Sequence, residues 1–122
     1  MNAGKVSLGE AFAAVSGHWR PRVVARLNGQ EVKVVRFSGP FVWHHHEDAD
    51  ELFMVWRGSF EMEFRDRAVP LGPGDLLVVP RGVEHRPRAA EEVQVVLFEP
   101  EGTRNTGNVE HPTLTAPAEG PR

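Results

Sequence analysis

Residues 39–58, GPFVWHHHEDADELFMVWRG, decide how the rest of the chain is read. One strand ends on three histidines, His44, His45 and His46; an acidic connection runs from Glu47 to Asp50; a second strand opens on Glu51. Side chains alternate between the two faces of a strand, so His44 and His46 share one face and His45 takes the other. A hairpin reversal at 47–50 returns Glu51 beside His46 on that same face. Two imidazoles and a carboxylate converging in this way form the core of a metal site. An expression tag would sit at a terminus, and this run lies mid-chain. A solvated surface cluster would not place a carboxylate at hairpin reach.

A second stretch, residues 74–85, GDLLVVPRGVEH, carries an apolar run, a Pro-Arg-Gly turn and then His85. Together the two stretches resemble the cupin family. The first family motif is represented by Gly39, His44, His46, Glu51 and Gly58, the second by Gly74, Pro80, Gly82 and His85. The resemblance spans roughly residues 37–98. It implies a metal-ligand set of His44, His46, Glu51 and His85, with two histidines and the glutamate from the first motif and one histidine from the second. Two departures stand out. Four residues separate Gly39 from His44, one fewer than usual, and Ala89 stands where the second motif often ends in asparagine.

The fold implied is all-β, a cupin-type double-stranded β-helix, or jelly-roll barrel, with a short N-terminal helix. The cofactor implied is a divalent transition metal. Ligation by nitrogen and oxygen without sulfur suits Mn, Fe, Ni, Zn, Co or Cu and does not select among them. Cupins catalyse oxygenation, isomerisation, epimerisation and decarboxylation. The expectation is a metal-dependent enzyme with oxygenase-type chemistry on a small organic molecule. The alternatives are a sugar or sugar-phosphate isomerase or epimerase, as in the cupin part of phosphomannose isomerases, and a non-catalytic small-ligand-binding cupin. Family members commonly dimerise, so a homodimer is expected.

Composition narrows the remaining classes. A chain of 122 residues with 40% apolar residues builds one core. A net charge of −3 without a basic stripe argues against nucleic acid as partner. With no cysteine, disulfides, thiolate ligands and cysteine nucleophiles are excluded, which fits a cytoplasmic setting. No apolar run reaches membrane-spanning length, so no membrane partner is expected. Neither a phosphate-cradling loop nor an activated serine is present, since Gly72-Pro73-Gly74-Asp75 lacks the following GK[ST].

Along the chain, Ser7-Leu8-Gly9-Glu10 has the form of a capping box, with Gly17 as the expected C-terminal cap of the helix. Strands are expected at 22–27 and 30–37, joined by Asn28-Gly29, then at 59–64, 68–71, 76–79 and 93–98, and a barrel of about nine or ten strands is expected overall. Leu52, Met54 and Trp56 form a face that needs covering, by the N-terminal segment or by another subunit. Arg36 is expected to be ion-paired at a strand end, and His18 and His111 to be ordinary exposed residues. One cupin domain is expected over 1–106, with the barrel core at 22–98 and the metal motifs at 39–58 and 74–89. Residues 107–122 are expected to form a flexible tail.

Overall fold

The Asn28-Gly29 pair has both residues at positive φ, 52° and 74°, the geometry of a tight two-residue hairpin. It joins β1 (Arg22–Leu27) to β2 (Gln30–Pro40), with Leu27 opposite Gln30. The computed structural model describes residues 4–115. After α1 (Leu8–Ala14), β1 and β2 come β3 (Glu51–Arg57), β4 (Phe60–Phe64), β5 (Ala68–Leu71), β6 (Leu76–Val79) and β7 (His85–Pro100). The arrangement is antiparallel and mostly β, a cupin jelly-roll with one short helix.

β7 is the spine. Its second half lies between β2 and β3 in a sheet of order β1-β2-β7-β3-β6. Its first half pairs instead with β4, Phe64 opposite His85 and Glu61 opposite Arg88, and β4 pairs with β5. The change of sheet occurs at an irregularity: Phe37 pairs with Val93, but Gly39 pairs with Ala89. Three residues of β7 therefore face one residue of β2, and such a bulge bends both strands. Gly58, at φ 87°, turns β3 into β4 against this corner; a Cβ there would sit 3.0 Å from the Glu92 carbonyl oxygen. Backbone approach that close requires glycine.

Between the two sheets lie Val35, Phe37, Phe53, Met62, Val93 and Val95, all buried. Their parity follows the sequence alternation, most plainly in β4, where Phe60, Met62 and Phe64 point inward. A second apolar cluster sits outside the barrel, where α1 packs Phe12 and Val15 on Val34 and Val96, with Met54 alongside. Phe12 also stacks on Trp56, with ring centroids 6.4 Å apart. The N-terminal segment thus covers part of the Leu52/Met54/Trp56 face.

Several local expectations need correction. Seven strands form among the described residues, not nine or ten. The histidine run is not a regular strand paired in a hairpin with β3; it crosses between sheets, and only His44 makes a bridge, to His85. β7 begins at His85 rather than Val93, because Pro87 and the Glu91–Glu92 pair interrupt the apolar pattern without interrupting the backbone. The helix ends on Val15, whose N–H bonds the Phe12 carbonyl, and not at Gly17. The N-cap is as expected, the Ser7 hydroxyl accepting from the Glu10 N–H at 3.4 Å. Arg36 pairs with Glu92 at 3.0 Å. His18 is exposed, as expected, and meets the same carboxylate at 2.8 Å.

The chain after β7 packs along the barrel. Thr106 is fully buried, and Asn105 donates to the Trp19 and Leu114 carbonyls. The expected division at 106/107 falls inside this packed segment, and residues 116–122 of the expected tail lie outside the described residues.

Phe12 is 1% exposed and holds α1 to the sheet. Phe12→Ala should therefore cost about 3–5 kcal/mol, read as a lower urea midpoint with an unchanged slope. A loss below about 1 kcal/mol would show that α1 contributes little to the fold.

Candidate metal centre

The histidine segment is placed by β7, not by the turn that follows it. The His44 N–H bonds the His85 carbonyl at 3.1 Å, and the His85 N–H returns to the His44 carbonyl at 2.9 Å. Phe41 donates to Pro87 and Gly82 donates to the His46 carbonyl, so 41–46 runs antiparallel to 82–87. Directly opposed residues on paired strands project to the same face. The His44 and His85 rings accordingly lie 4.3 Å apart. His46, two residues on, joins them at 5.1 Å from His44 and 5.8 Å from His85. Glu51 enters from the first position of β3, where its backbone is held opposite Val79 of β6.

The four side chains named from sequence therefore converge: one ligand atom from each of His44, His46, Glu51 and His85 lies within 4.8 Å of the others. All four are buried, His85 completely. His45 points away, as its parity predicts, and meets Glu47 at 3.2 Å. The loop carboxylates serve elsewhere, with Asp50 accepting from the Arg81 backbone at 2.8 Å.

The arrangement fits a cation. His44 Nδ1 lies 2.9 Å from the Val42 carbonyl, and His85 Nδ1 lies 2.9 Å from that of Val83. A carbonyl only accepts, so each ring carries its proton on Nδ1 and turns the Nε2 lone pair inward. Burial, then the neighbouring His85, lowers the His44 pKa to about 4, which keeps this imidazole neutral and able to ligate near pH 7. Three polar atoms at the centre, His46 Nε2, His85 Nε2 and Glu51 Oε1, are buried without a hydrogen-bond partner. The histidine nitrogens approach Glu51 Oε1 at 3.2 and 3.6 Å but lack hydrogen-bond geometry. Unpartnered buried polar atoms are costly, and a shared ion would satisfy all three at once.

Behind Glu51 lies a charged group that the sequence reading missed. Lys33 and Glu99 are 2% and 1% exposed and form an ion pair at 2.8 Å. Lys33 also reaches Glu31 at 3.6 Å and the Thr103 carbonyl at 3.3 Å. Burial, then the Glu51 charge, pushes the Glu99 carboxyl well above the usual range, against the pull of Lys33. Burial also opposes ionisation of Glu51, but the close side chains of Glu99, His46 and His85 outweigh it and hold its carboxyl well below the usual range. The signal was present in strand parity. Glu31 and Lys33 alternate in phase with the inward Val35 and Phe37, and Glu99 with Val93, Val95 and Leu97.

A further clasp comes from the chain after β7. Asn108 accepts from the His45 N–H at 2.8 Å and donates from its own N–H to the His45 carbonyl at 3.1 Å. Gly107 lies so close to that carbonyl that any Cβ would collide with it. These bonds hold the histidine segment from outside while β7 holds it from inside.

Comparison with known proteins agrees with this geometry. A family model described as "Cupin domain" matches residues 25–99. The uncharacterized protein YdbB of Bacillus subtilis (strain 168) is 37% identical over 67 residues, 54% of this chain and 59% of that protein. The chain thus spans about three fifths of the length of this curated relative. A crystal structure of a cupin-2 domain containing protein from Shewanella frigidimarina NCIMB 400 superposes with a TM-score of 0.77 at 41% identity, covering 79% of this chain and 94% of that one. Protein NMB1881 from Neisseria meningitidis superposes with a TM-score of 0.73 at 28% identity, covering 80% and 100%. From the matched core, the jelly-roll and the ligand-type cluster it encloses, this chain belongs to the cupin family.

Proposed function

We propose that the protein is a metal-dependent cupin enzyme that binds a divalent transition ion through His44, His46, Glu51 and His85 and carries out oxygenase-type chemistry on a small organic molecule. The observation that carries this reading is the set of three buried, unpartnered ligand atoms facing one another across the cluster. When bound, an ion of the Mn, Fe, Ni, Zn, Co or Cu type would supply Lewis acidity and, where redox-active, electrons for dioxygen chemistry. The chain's own residues supply the rest. The Val42 and Val83 carbonyls fix two imidazoles in the ligating tautomer. Glu99, held by Lys33, backs the Glu51 carboxylate. The neighbouring cavity is walled by Phe37, Phe41, Phe53 and Leu97, which keep bulk water from the centre.

The reading includes a homodimer. Leu76 and Val78 of β6 are 61% and 47% exposed, and Trp56 on the adjacent β3 is 40% exposed. β6 ends the β1-β2-β7-β3-β6 order, so an apolar strip borders an open sheet edge. Light scattering at tens of micromolar should give twice the chain mass. A wild-type mass equal to one chain would rule the dimer out.

Each ligand can be tested singly. Alanine at His44, His46, Glu51 or His85 should cut metal per chain sharply, measured by elemental analysis after dialysis. His45→Ala should retain near wild-type occupancy, because its ring points out of the cluster. Loss of metal in His45→Ala with retention in His44→Ala would overturn the ligand set.

The apolar core between the sheets is built from side chains other than the four candidate ligands, in contrast to a zinc finger, whose folding energy comes from its metal. Chelation should lower the melting temperature yet leave a cooperative transition. The stability lost is about 2.7 kcal/mol if the ion had been present at a hundredfold its dissociation constant. An apo-protein unfolded at 25 °C would instead make the ion a structural element.

A further inference from the structure

The four candidate ligands are buried, and the cavity that touches two of them, His44 and Glu51, has a volume of only about 30 Å³. That is room for water and far below the ~150 Å³ known to accept a benzene ring. A wider cleft of about 490 Å³ borders His46 from the other side, but along the aromatic cavity no organic molecule reaches His44 and Glu51 unless something moves. The residue that fills the space is Trp19, from the loop between α1 and β1. Its indole is stacked between Phe37 and Phe41, at centroid distances of 4.3 and 4.4 Å. Both of those rings line the same cavity, as does Trp19 itself.

Trp19 is only partly buried, and its neighbours His18 and Arg20 are exposed, so the indole separates the cavity from solvent. Its backbone sits at φ 62°, a left-handed conformation unfavourable for a bulky side chain. The loop also bends at Gly17, φ 73°. Two polar contacts tether Trp19 at the backbone, its N–H to the Arg36 carbonyl at 3.0 Å and its carbonyl to Asn105 Nδ2 at 3.2 Å. The ring itself stacks on Phe37 and Phe41. A strained, loop-borne ring between two fixed aromatic walls is suited to exchange with another flat ring.

The lining also selects the ligand. Beyond His44 and Glu51 the polar side chain present is Asn105, and among the described residues lining the cavity there is no lysine or arginine. A phosphate would find no cationic side chain along the walls, and sugar hydroxyls would be buried largely unbonded. Aromatic faces instead favour a flat ring stacked at short range.

We propose that Trp19 is a displaceable plug occupying the position of the substrate ring, and that the substrate is a flat aromatic molecule whose oxygen substituents reach the metal centre while its ring lies between Phe37 and Phe41. This rests on the metal reading above, because the oxygen substituents are directed to the His44 and Glu51 end of the cavity. The binding affinity of wild-type protein is then reduced by the fraction of time that the plug is in place.

The test uses full-length protein loaded with Co(II), whose visible absorption reports ligands at the ion. Salicylate and lactate are compared because both present a hydroxyl and a carboxylate, and salicylate alone has a ring. Wild-type protein should bind salicylate at least tenfold more tightly than lactate. Trp19→Ala should tighten salicylate by a further fivefold or more and leave lactate unchanged, and indole should compete with salicylate in this variant. Equal affinities for the two acids in wild type would overturn the ring site, and this comparison decides even if Trp19→Ala does not fold. Folded Trp19→Ala with unaltered or weaker salicylate binding would overturn the plug. Failure to retain cobalt would overturn the metal reading itself, whereas cobalt retained without ring preference removes this inference alone.

Discussion

The reciprocal backbone pair between His44 and His85 is the contact on which the centre depends. Two hydrogen bonds of 3.1 and 2.9 Å set these residues directly opposite each other. Opposition on paired strands puts both rings on the inner face, and the two-residue period then brings His46 to the same side while excluding His45. A slip of one residue would exchange His44 for His45 and dismantle the cluster. The clasp from Asn108 to the His45 backbone protects this register from the outside. Held from both directions, the histidine segment needs no regular strand structure of its own.

The length of β7 makes that pairing possible. One strand supplies His85 at one end and the central rung of the five-strand order at the other. The bend at 90–92 against Ser38 allows it to serve both sheets, and Gly58 permits the β3–β4 turn to settle on that bend. Glu51 is carried by β3 on the far half of β7, while His85 begins the near half. The carboxylate and the histidines therefore meet across the barrel interior, brought together by the curvature of one strand.

Charge inside the barrel is concentrated behind the centre. Lys33 and Glu99 are buried as deeply as the apolar core, and isolated charges at such depth are strongly unfavourable. Their mutual contact and the added partners at Glu31 and Thr103 offset that cost in part. Glu99 Oε2 and Glu51 Oε1 both remain without hydrogen-bond partners. The group therefore favours a cation at the cluster, which would draw on Glu51 and relieve the orphaned atoms. Opposite this charged side, the cavity wall is aromatic, so the centre lies between a polar backing and an apolar front.

By itself the sequence determined the features that arise from neighbours along the chain. The Asn28-Gly29 turn set β1 exactly at 22–27, short apolar runs set β5 and β6, and alternation separated His44 and His46 from His45. Motif spacing brought Glu51 and His85 to the same site on paper, and the cupin fold followed from it. Tertiary structure decided what depends on partners distant in sequence. The histidine segment pairs with 82–87 rather than with β3, because β7 and β6 already occupy both edges of β3. Lys33 meets Glu99, and Trp19 enters between Phe37 and Phe41, only after β2 and β7 have paired and closed the barrel. Local pattern reports which face a side chain takes. What it meets on that face is set by long-range register, which no short window of sequence contains.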